Sequence, residues 1–295
     1  MPLASDWIAD FLQDEALPEA YRLTISEVAE PLALQLQAMS AGRREPLVAG
    51  VCGAQGSGKS TLCAVVARLL RRRGLRVAVL SLDDLYLARA RRAELATDVH
   101  PLFATRGPPG THDVPQGLAL LDALSMPGFT HLPRFDKATD DPVPADLWPE
   151  IQGPVDLILL EGWCVGATPQ SQESLLKPVN RLEADEDPDG VWRAHVNKVL
   201  AGPYQTLFRR IDHLTLLRAP SFEVVAAWRA EQEDKLRRRR QATGQGPDPT
   251  MDADQITAFI QLYERLIRHI LATLHQQADL VIDLETDRTM RPPIR

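Results

Sequence analysis

A glycine-rich segment with a lysine and a serine is the feature of this sequence that points most directly to chemistry. It fits the pattern G-x-x-x-x-G-K-[ST], with an apolar run before it and an amphipathic pattern after it. Its members are Gly53, Ala54, Gln55, Gly56, Ser57, Gly58, Lys59 and Ser60, and we assign the adjacent Thr61 to the same site. Glycines let backbone N–H groups turn toward phosphate oxygens, and a helix N-terminus adds a positive dipole. The pattern predicts a nucleotide site where Lys59 neutralises the β- and γ-phosphates and Ser60 binds Mg²⁺.

Three carboxylates follow predicted strands and indicate what the nucleotide site does. Asp83 and Asp84 end the apolar run 75–82, and Glu161 ends the run 155–160. Since the carboxyl ends of parallel strands share one edge of a sheet, these side chains should lie near the phosphate loop. One carboxylate can act as base toward an acceptor hydroxyl while the other holds the magnesium shell. The segment 197–200, Asn-Lys-Val-Leu, lacks the aspartate of the guanine-reading N-K-x-D motif, which argues against a GTPase.

The elements that must position these residues alternate between apolar strands and amphipathic helices. Buried strands are predicted over 46–52, 75–82, 155–160, 213–217 and 280–284. Helices are predicted over 59–73, 117–125, 221–240 and 252–276, with further helical spacing over 5–40. This alternation predicts an α/β fold with a doubly wound, five-stranded parallel sheet, in which the phosphate loop joins the first strand to its helix.

Composition narrows the class of protein and of partner. The chain has 295 residues, of which 44% are hydrophobic and 25% charged, which is typical of a soluble globular protein. A net charge of −7 argues against a general nucleic-acid partner. We find neither a signal-peptide pattern nor an apolar run long enough to span a membrane. The three cysteines, Cys52, Cys63 and Cys164, suit a reducing cytoplasm, and we expect the first two in the core.

Proline is in excess, and it is concentrated in one stretch. Of the 23 prolines, ten lie between positions 101 and 154, which predicts rigid turns and loops between the two strands that carry the carboxylates. Rigid loops frequently hold binding residues, so we expect part of the site here. A second stretch, 181–190, is rich in Glu and Asp, and we interpret it as a solvated loop. Trp163 and Trp228 are expected to be packing residues.

Four ordered motifs carry a family resemblance. They are Ser81-Leu82-Asp83-Asp84-Leu85-Tyr86-Leu87, Arg106-Gly107-Pro108-Pro109-Gly110-Thr111-His112-Asp113, Leu132-Pro133-Arg134-Phe135-Asp136-Lys137 and Leu160-Glu161-Gly162-Trp163. With them, the sequence resembles the D-glycerate 3-kinase family, a branch of the P-loop kinases that includes uridine kinase, phosphoribulokinase and bacterial pantothenate kinase. The resemblance extends from about residue 46 to 283 and includes Tyr204 and the pair Trp228-Arg229.

The resemblance implies transfer of the γ-phosphoryl group of ATP to a hydroxyl of a small molecule, with Mg²⁺. It assigns catalytic roles to Asp83, Lys59 and Arg229, with Asp83 as the base. It assigns the metal to Ser60, Glu161 and Asp83. The acceptor-binding residues that it implies are Asp84, Tyr86, Arg106, His112, Asp113, Arg134, Asp136 and Lys137.

The resemblance also implies an organisation of the chain. Residues 1–45 lie before the matched part and are expected to form a helical N-terminal extension. Residues 46–295 would form the P-loop kinase domain, with an acceptor-binding insert at about 100–150 and a lid at about 220–250. Arg229 and the run Arg237 to Arg240 fall on that lid, where arginines can reach the transferring phosphoryl group.

One departure from the family leaves the acceptor open. Glycerate kinases of this family usually carry a G-R-G-D-R segment after the Asp-Lys pair, whereas residues 136–142 here read Asp-Lys-Ala-Thr-Asp-Asp-Pro. Binding a small carboxylate requires a cation or convergent N–H donors, which Arg106, His112, Arg134 and Lys137 could supply. D-Glycerate or a related hydroxy acid is the first candidate. A nucleoside, pantothenate-like or sugar-type alcohol is the second, and a non-catalytic ATP-binding regulator is the third.

Overall fold

The computed structural model describes residues 7–243 and 253–292. Its strands are β1 (Leu47–Gly53), β2 (Val77–Ser81), β3 (Gly128–His131), β4 (Phe135–Asp136), β5 (Asp141–Pro142), β6 (Glu150–Gly153), β7 (Leu157–Gly162), β8 (His213–Arg218) and β9 (Leu280–Asp283). Its α-helices are α1 (Trp7–Asp14), α2 (Tyr21–Thr24), α3 (Glu30–Ser40), α4 (Lys59–Arg72), α5 (Arg89–Asp98), α6 (Val114–Leu124), α7 (Arg181–Glu186), α8 (Val191–Val199), α9 (Gln205–Phe208), α10 (Phe222–Thr243) and α11 (Ala253–Thr273).

Five of these strands form one parallel sheet in the order β2-β7-β1-β8-β9. Both β1 and β7 are buried along their whole length, because helices cover both faces of the sheet. The predicted doubly wound, five-stranded parallel sheet is therefore confirmed. Because β7 lies between β1 and β2, the phosphate loop, Glu161 and Asp83 lie at the carboxyl ends of three adjacent strands, at the same edge of the sheet.

The N-terminal helices pack against α4, the helix that follows the phosphate loop. A π-helical turn, Ile25–Ala29, joins α2 to α3, so that helical backbone runs from residue 21 to residue 40. The guanidinium groups of Arg68 and Arg72 lie 5.6 and 5.4 Å from the ring centroid of Trp7, and Arg73 forms an ion pair of 2.9 Å with Glu30. These contacts place the N-terminal helices beside the sheet, away from the edge that carries the carboxylates.

The proline-rich stretch folds into short elements held together by one buried arginine. Residues 101–154 contain α6 and two small antiparallel pairs, β3 with β6 and β4 with β5, and α5 comes directly before them. The Arg92 side chain is only 1% exposed and donates hydrogen bonds to the carbonyls of Leu87, Ala104 and Asp140. Arg92 thus joins one segment before the proline-rich stretch to two segments within it.

The interpretation of 181–190 as a solvated loop holds for most of its exposed residues but was wrong for the helix it contains and for two buried acids. Residues 181–186 form α7, and Glu183 and Asp187 are 0% and 1% exposed. Glu183 forms an ion pair with Arg265 at 2.6 Å, and Asp187 forms one with Arg193 at 3.0 Å. These two acids can be buried because each has a buried cation beside it, Arg265 from a distant part of the chain and Arg193 from the next helix.

Two long helices, α10 and α11, follow β8 and contact each other; α10 falls in the predicted lid region, and α11 comes after it. Residues 244–252, which include the end of the predicted lid, lie outside the described residues. The side chains of Arg238, Arg239 and Arg240 also lie outside the described part. Within the two described ranges, no helix combines the length and apolar character needed to cross a membrane.

Candidate active site

The phosphate loop, residues 53–60, connects β1 to α4, as predicted. Gly56 and Gly58 have φ angles of +78° and +84°, a left-handed backbone that glycine adopts without strain. A Cβ atom at Gly53 would lie 2.6 Å from Ser57 Oγ, so the loop closes on itself at that point. Since α4 begins at Lys59, the positive end of a 14-residue helix lies at the loop. The local structure therefore has the form of an anion-binding cradle.

Lys59, Ser60 and Glu161 meet beside this loop. The Ser60 hydroxyl donates a hydrogen bond of 2.9 Å to Glu161 Oε1, and Lys59 Nζ lies 3.8 Å from Glu161 Oε2. Burial lowers the pKa of Lys59, but the attraction of Glu161 and Asp83 outweighs burial, so the pKa of the ammonium group is raised. Lys59 is thus a cation at neutral pH, as phosphate binding requires.

The oxygens of this cluster fit a magnesium ion. Glu161 is 4% exposed, and its Oε2 atom accepts no hydrogen bond from any described residue. A serine hydroxyl and a carboxylate are hard oxygen ligands of the type that Mg²⁺ prefers, and this ion keeps several waters and substrate oxygens in its shell. In the described ranges, no group of three or more His, Cys, Asp or Glu side chains forms a complete metal cage. The cluster therefore suits an ion that the nucleotide helps to bind.

Asp83 lies in the short 3₁₀ segment after β2, at the same edge of the sheet. Its Oδ2 atom is 2.6 Å from Lys137 Nζ, and its Oδ1 atom accepts a hydrogen bond of 3.0 Å from the Tyr86 hydroxyl. Burial raises the pKa of Asp83, but Lys137 and Lys59 outweigh burial and lower the pKa below its usual range. Asp83 is consequently a charged hydrogen-bond acceptor at neutral pH.

Asp84 has different surroundings from its neighbour. It accepts hydrogen bonds of 3.1 Å from an Arg134 Nη atom and from the backbone N–H of Phe135. Burial raises the pKa of Asp84, and the negative charges of Asp83 and Glu161 raise it further. The hydrogen bond from Phe135 and the charge of Arg134 lower it, but the net shift of the pKa is upward. Asp84 therefore ties the 132–137 motif to the 81–87 motif, and both predicted acceptor-binding residues, Asp84 and Arg134, are engaged with each other.

A buried stack of aromatic rings contacts Asp83 through the Tyr86 hydroxyl. The Tyr86 ring stacks on His112 with 4.6 Å between centroids, and His112 Nδ1 lies 2.6 Å from the Tyr204 hydroxyl. Burial lowers the pKa of His112 to about 4, although Asp83 opposes the shift. At neutral pH the His112 ring is therefore uncharged. Tyr86 and His112, which were assigned to the acceptor site by resemblance, form one packed unit behind the predicted base.

The other predicted acceptor-binding residues mainly make local contacts. Arg106 forms an ion pair with Asp140, and its guanidinium lies 5.6 Å from the Phe135 ring centroid. Asp113 caps the N-terminus of α6 through Gln116 N–H at 2.9 Å. Asp136 accepts a hydrogen bond from Ala138 N–H and another from the Thr139 hydroxyl. Of these three residues, Arg106 is the one whose interactions join distant parts of the predicted acceptor region.

A cavity of about 480 Å³ opens beside the Asp83 segment. Its lining includes Asp84, Tyr86, His112, Asp113 and Trp148. With Pro133, its lining comes from three of the four family motifs. Its size is in the range of small-molecule sites, and its walls combine aromatic rings with a few polar groups.

Arg229 of α10 contacts its own helix and α11. It forms an ion pair of 2.7 Å with Glu233, and its guanidinium lies 5.3 Å from the Phe259 ring centroid. Its Nε atom is buried without a hydrogen-bond partner among the residues the structure describes. Trp228, beside it, is 2% exposed and is a packing residue as expected, as is Trp163. A catalytic role for Arg229 stays a prediction.

Two residues of the site were missed by sequence reasoning. The Tyr263 hydroxyl of α11 donates a hydrogen bond of 3.1 Å to the Arg106 carbonyl. A Cβ atom at Gly107 would lie only 1.8 Å from the Tyr263 hydroxyl oxygen. Arg288, after the last strand, donates from Nε to the carbonyl of Gly56 in the phosphate loop. Their sequence surroundings are an amphipathic helix and a polar turn, which carry no motif that could have identified them.

Three features together define a P-loop kinase fold. The parallel sheet has the order β2-β7-β1-β8-β9, the phosphate loop follows its central strand, and carboxylates lie at the carboxyl ends of β2 and β7. A solved D-glycerate 3-kinase from Cryptococcus neoformans has the same fold, with a TM-score of 0.70, 24% identity, and coverage of 89% of this chain and 97% of that one. The uncharacterized kinase mug58 of Schizosaccharomyces pombe is 31% identical over 258 residues, which are 84% of this chain and 88% of that protein. The chain belongs to the D-glycerate 3-kinase family of P-loop kinases.

Two further comparisons differ in extent. The chloroplastic D-glycerate 3-kinase of Arabidopsis thaliana is 28% identical over 263 residues, covering 84% of this chain. The chain spans 54% of the length of that relative. A family model described as methylmalonyl Co-A mutase-associated GTPase MeaB matches residues 17–85, which include the phosphate loop. The matched residues cover less than half of the chain and end inside the 81–87 motif.

Proposed function

We propose that the protein transfers the γ-phosphoryl group of ATP to a hydroxyl of D-glycerate or a related hydroxy acid. The observation that carries this proposal is the contact of 2.6 Å between Lys137 and Asp83, at the edge of the sheet where Lys59 also lies. An acceptor whose hydroxyl meets Asp83 would have a cation beside it. In glycerate the terminal hydroxyl and the carboxylate are close enough for both groups to be bound in this way.

The chain's own residues have separable tasks in this reaction. Asp83 orients the acceptor hydroxyl and takes its proton, while Lys59 stabilises the phosphoryl oxygens. A low pKa makes Asp83 a weak base, which suffices because phosphoryl transfer has a loose transition state and relies on positioning. Mg²⁺, when bound, neutralises charge on the β- and γ-phosphates, and Ser60 and Glu161 are the residues that would hold it.

A neutral acceptor is the second candidate, and one observation favours it. Lys137 is paired with Asp83, Arg134 with Asp84 and Arg106 with Asp140. His112 is uncharged, so none of the four residues that could bind a carboxylate carries an unpaired positive charge. The cavity of about 480 Å³ would also hold a molecule larger than glycerate. A nucleoside, pantothenate-like or sugar-type alcohol would fit these features.

The thiols favour a cytoplasmic location for the reaction, and the net charge favours a small-molecule partner. Cys52, Cys63 and Cys164 are free and buried, and burial raises the pKa of Cys52 to about 12. Inert, reduced thiols suit the cytoplasm, which is where we place the activity. A net charge of −7 favours a small molecule over nucleic acid as the partner.

The two candidates are separated by measuring ADP formation with a panel of acceptors in wild-type protein, Lys137→Met and Lys137→Arg. If the acceptor is a hydroxy acid, D-glycerate stimulates ADP formation and Lys137→Met raises the KM for D-glycerate. The KM of Lys137→Arg should then be close to the wild-type value. If the acceptor is neutral, glycerate gives no stimulation, and Lys137→Met leaves the KM of the active alcohol nearly unchanged. Binding of ATP without stimulation by any acceptor would refute both and favour a regulator.

A further inference from the structure

The chain beyond the last strand folds back over the phosphate loop. After β9, Leu284 and Met290 form an isolated antiparallel bridge, and the N–H of Glu285 bonds to the Thr289 carbonyl at 2.9 Å. Met290 is 6% exposed, and its Cε atom lies 3.6 Å from the position of a Cβ at Gly58. The turn that these residues enclose therefore contacts the loop that is expected to bind phosphate.

Arg288 lies at the tip of this turn and joins three parts of the protein. Its Nε donates a hydrogen bond of 3.0 Å to the carbonyl of Gly56, and one Nη atom bonds to Glu231 of α10 at 2.6 Å. The guanidinium lies 5.5 Å from the ring centroid of Trp228. The backbone of Arg288 has a φ of +74°, an arrangement that costs energy for a residue other than glycine. A strained residue with three side-chain contacts is typical of a position held in place by its surroundings.

The hydrogen bond from Arg288 fixes the orientation of one peptide group in the loop. A peptide group is planar, so holding both its ends sets the direction of the whole plane. The carbonyl of Gly56 is held by Arg288, and the N–H of Ser57, in the same peptide group, bonds to the Ala54 carbonyl at 3.1 Å. The following amides at the start of α4 are thereby kept in their positions relative to the loop.

The packing around this peptide group leaves it little freedom. A Cβ at Gly56 would lie 2.9 Å from Trp228 Cβ, so α10 is in direct contact with the loop. Trp228 in turn donates from its indole nitrogen to the Thr286 carbonyl at 2.7 Å. The C-terminal turn, α10 and the phosphate loop thus form a closed set of contacts in which Arg288 is the shared member.

We propose that Arg288 is a positioning residue for phosphate binding, acting through the carbonyl of Gly56 to hold the phosphate loop in its binding conformation. The proposal rests on the nucleotide-binding part of the proposed function and is independent of the acceptor. Arg288 contacts the loop through the backbone carbonyl of Gly56, and no contact joins its side chain to the described acceptor-side residues named above. Its loss therefore lowers affinity for the nucleotide and leaves acceptor recognition intact.

The test is calorimetric titration of the full chain with ATP and with ADP, using Arg288→Gly as the main variant. Glycine accepts a φ of +74° without strain, so this variant removes the side chain while preserving the turn. Arg288→Lys keeps the charge and loses the planar donor. Arg291→Ala is the matched control, because Arg291 belongs to the same segment and its ion pair with Glu285 is exposed. Steady-state KM values for ATP and the acceptor complete the comparison.

We expect both Arg288 variants to bind ATP and ADP about tenfold more weakly, the loss typical of one charge-assisted hydrogen bond. The KM of the acceptor and the binding of nucleotide by Arg291→Ala should stay at wild-type values. Wild-type affinity in Arg288→Gly would overturn the proposal, as would an equal loss in Arg291→Ala. Failure of the wild-type protein to bind ATP would refute the proposed function itself, which is a separate outcome of the same titration.

Discussion

Replacing Asp83 by asparagine removes one charge at the edge of the sheet and preserves the shape of the side chain. The asparagine carbonyl can still accept the hydrogen bond of 3.0 Å from Tyr86. Its amide NH₂ group would point toward Lys137, which now lies 2.6 Å from the carboxylate, and two donors cannot bond to each other. The variant therefore loses both the proton acceptor and the ion pair, while the rest of the segment stays in place.

The expected size of the effect differs between turnover, nucleotide binding and stability. Loss of a general base lowers kcat by a factor of about 10² to 10⁴. The ATP KM should change less than about threefold, because Glu161 is the leading attraction on Lys59, ahead of Asp83. The Lys137 side chain is 59% exposed, so loss of this ion pair should cost the fold less than about 1 kcal/mol.

The assay measures ADP formation at saturating ATP and acceptor, together with ATP affinity and the midpoint of urea unfolding. Asp122→Asn is the control for the substitution itself, since Asp122 is paired with Arg210 on the surface. A kcat within threefold of wild type would refute the role of Asp83 as base. Loss of ATP binding with the fold intact would place Asp83 in the nucleotide and metal site instead.

Three further predictions concern charge in buried places. Lys59→Met should raise the ATP KM at least about tenfold and lower kcat about 10²-fold or more in the same assay, because it removes the cation that meets the phosphates. Arg265→Met should lower the free energy of unfolding by about 3–5 kcal/mol in urea titrations, because it leaves Glu183, 0% exposed, as an unpaired buried charge. Burial lowers the pKa of His213 below its unfolded value, against the attraction of Asp279, so the folded state binds fewer protons. The stability that the neutral His213 contributes is complete above about pH 6.5 and is lost as the pH falls through the folded pKa. His213→Gln should therefore show a smaller drop in the urea unfolding midpoint between about pH 7 and pH 5 than the wild type.

For each of these predictions, one experimental outcome would contradict it. An unchanged ATP KM in Lys59→Met would remove Lys59 from the phosphate site. The double variant Glu183→Gln, Arg265→Met should be more stable than Arg265→Met alone, and equal stability would show that the unpaired charge is not the cause. A pH dependence in His213→Gln as steep as in the wild type would assign the acid sensitivity to other groups.

The phosphate loop was predictable because its parts are adjacent in the chain. Gly56 and Gly58 supply the positive φ angles, and the apolar run before them and the amphipathic helix after them fix the strand and helix. The edge position of Asp83 and Glu161 was predictable for a similar reason, since parallel strands bring their carboxyl ends together. Local pattern and one rule of sheet topology were sufficient for both.

The pairing of side chains was not predictable in the same way. Lys137 and Asp83 are 54 residues apart, and the sequence shows only that both belong to family motifs. The segment 181–190 was expected to be solvated because it is acidic, yet Arg265 and Arg193 lie where Glu183 and Asp187 are buried. Burial of a charge depends on the position of its partner, which only the folded chain determines.

The sequence by itself determined a P-loop, a parallel α/β sheet and the edge at which the chemistry lies, because these follow from spacing, periodicity and glycine content. The tertiary structure decided which charges neutralise each other, that His112 is uncharged and that Arg288 reaches the loop from the last turn of the described chain. These features depend on distances between residues far apart in sequence. Such distances are set by packing of the whole fold and have no local signature.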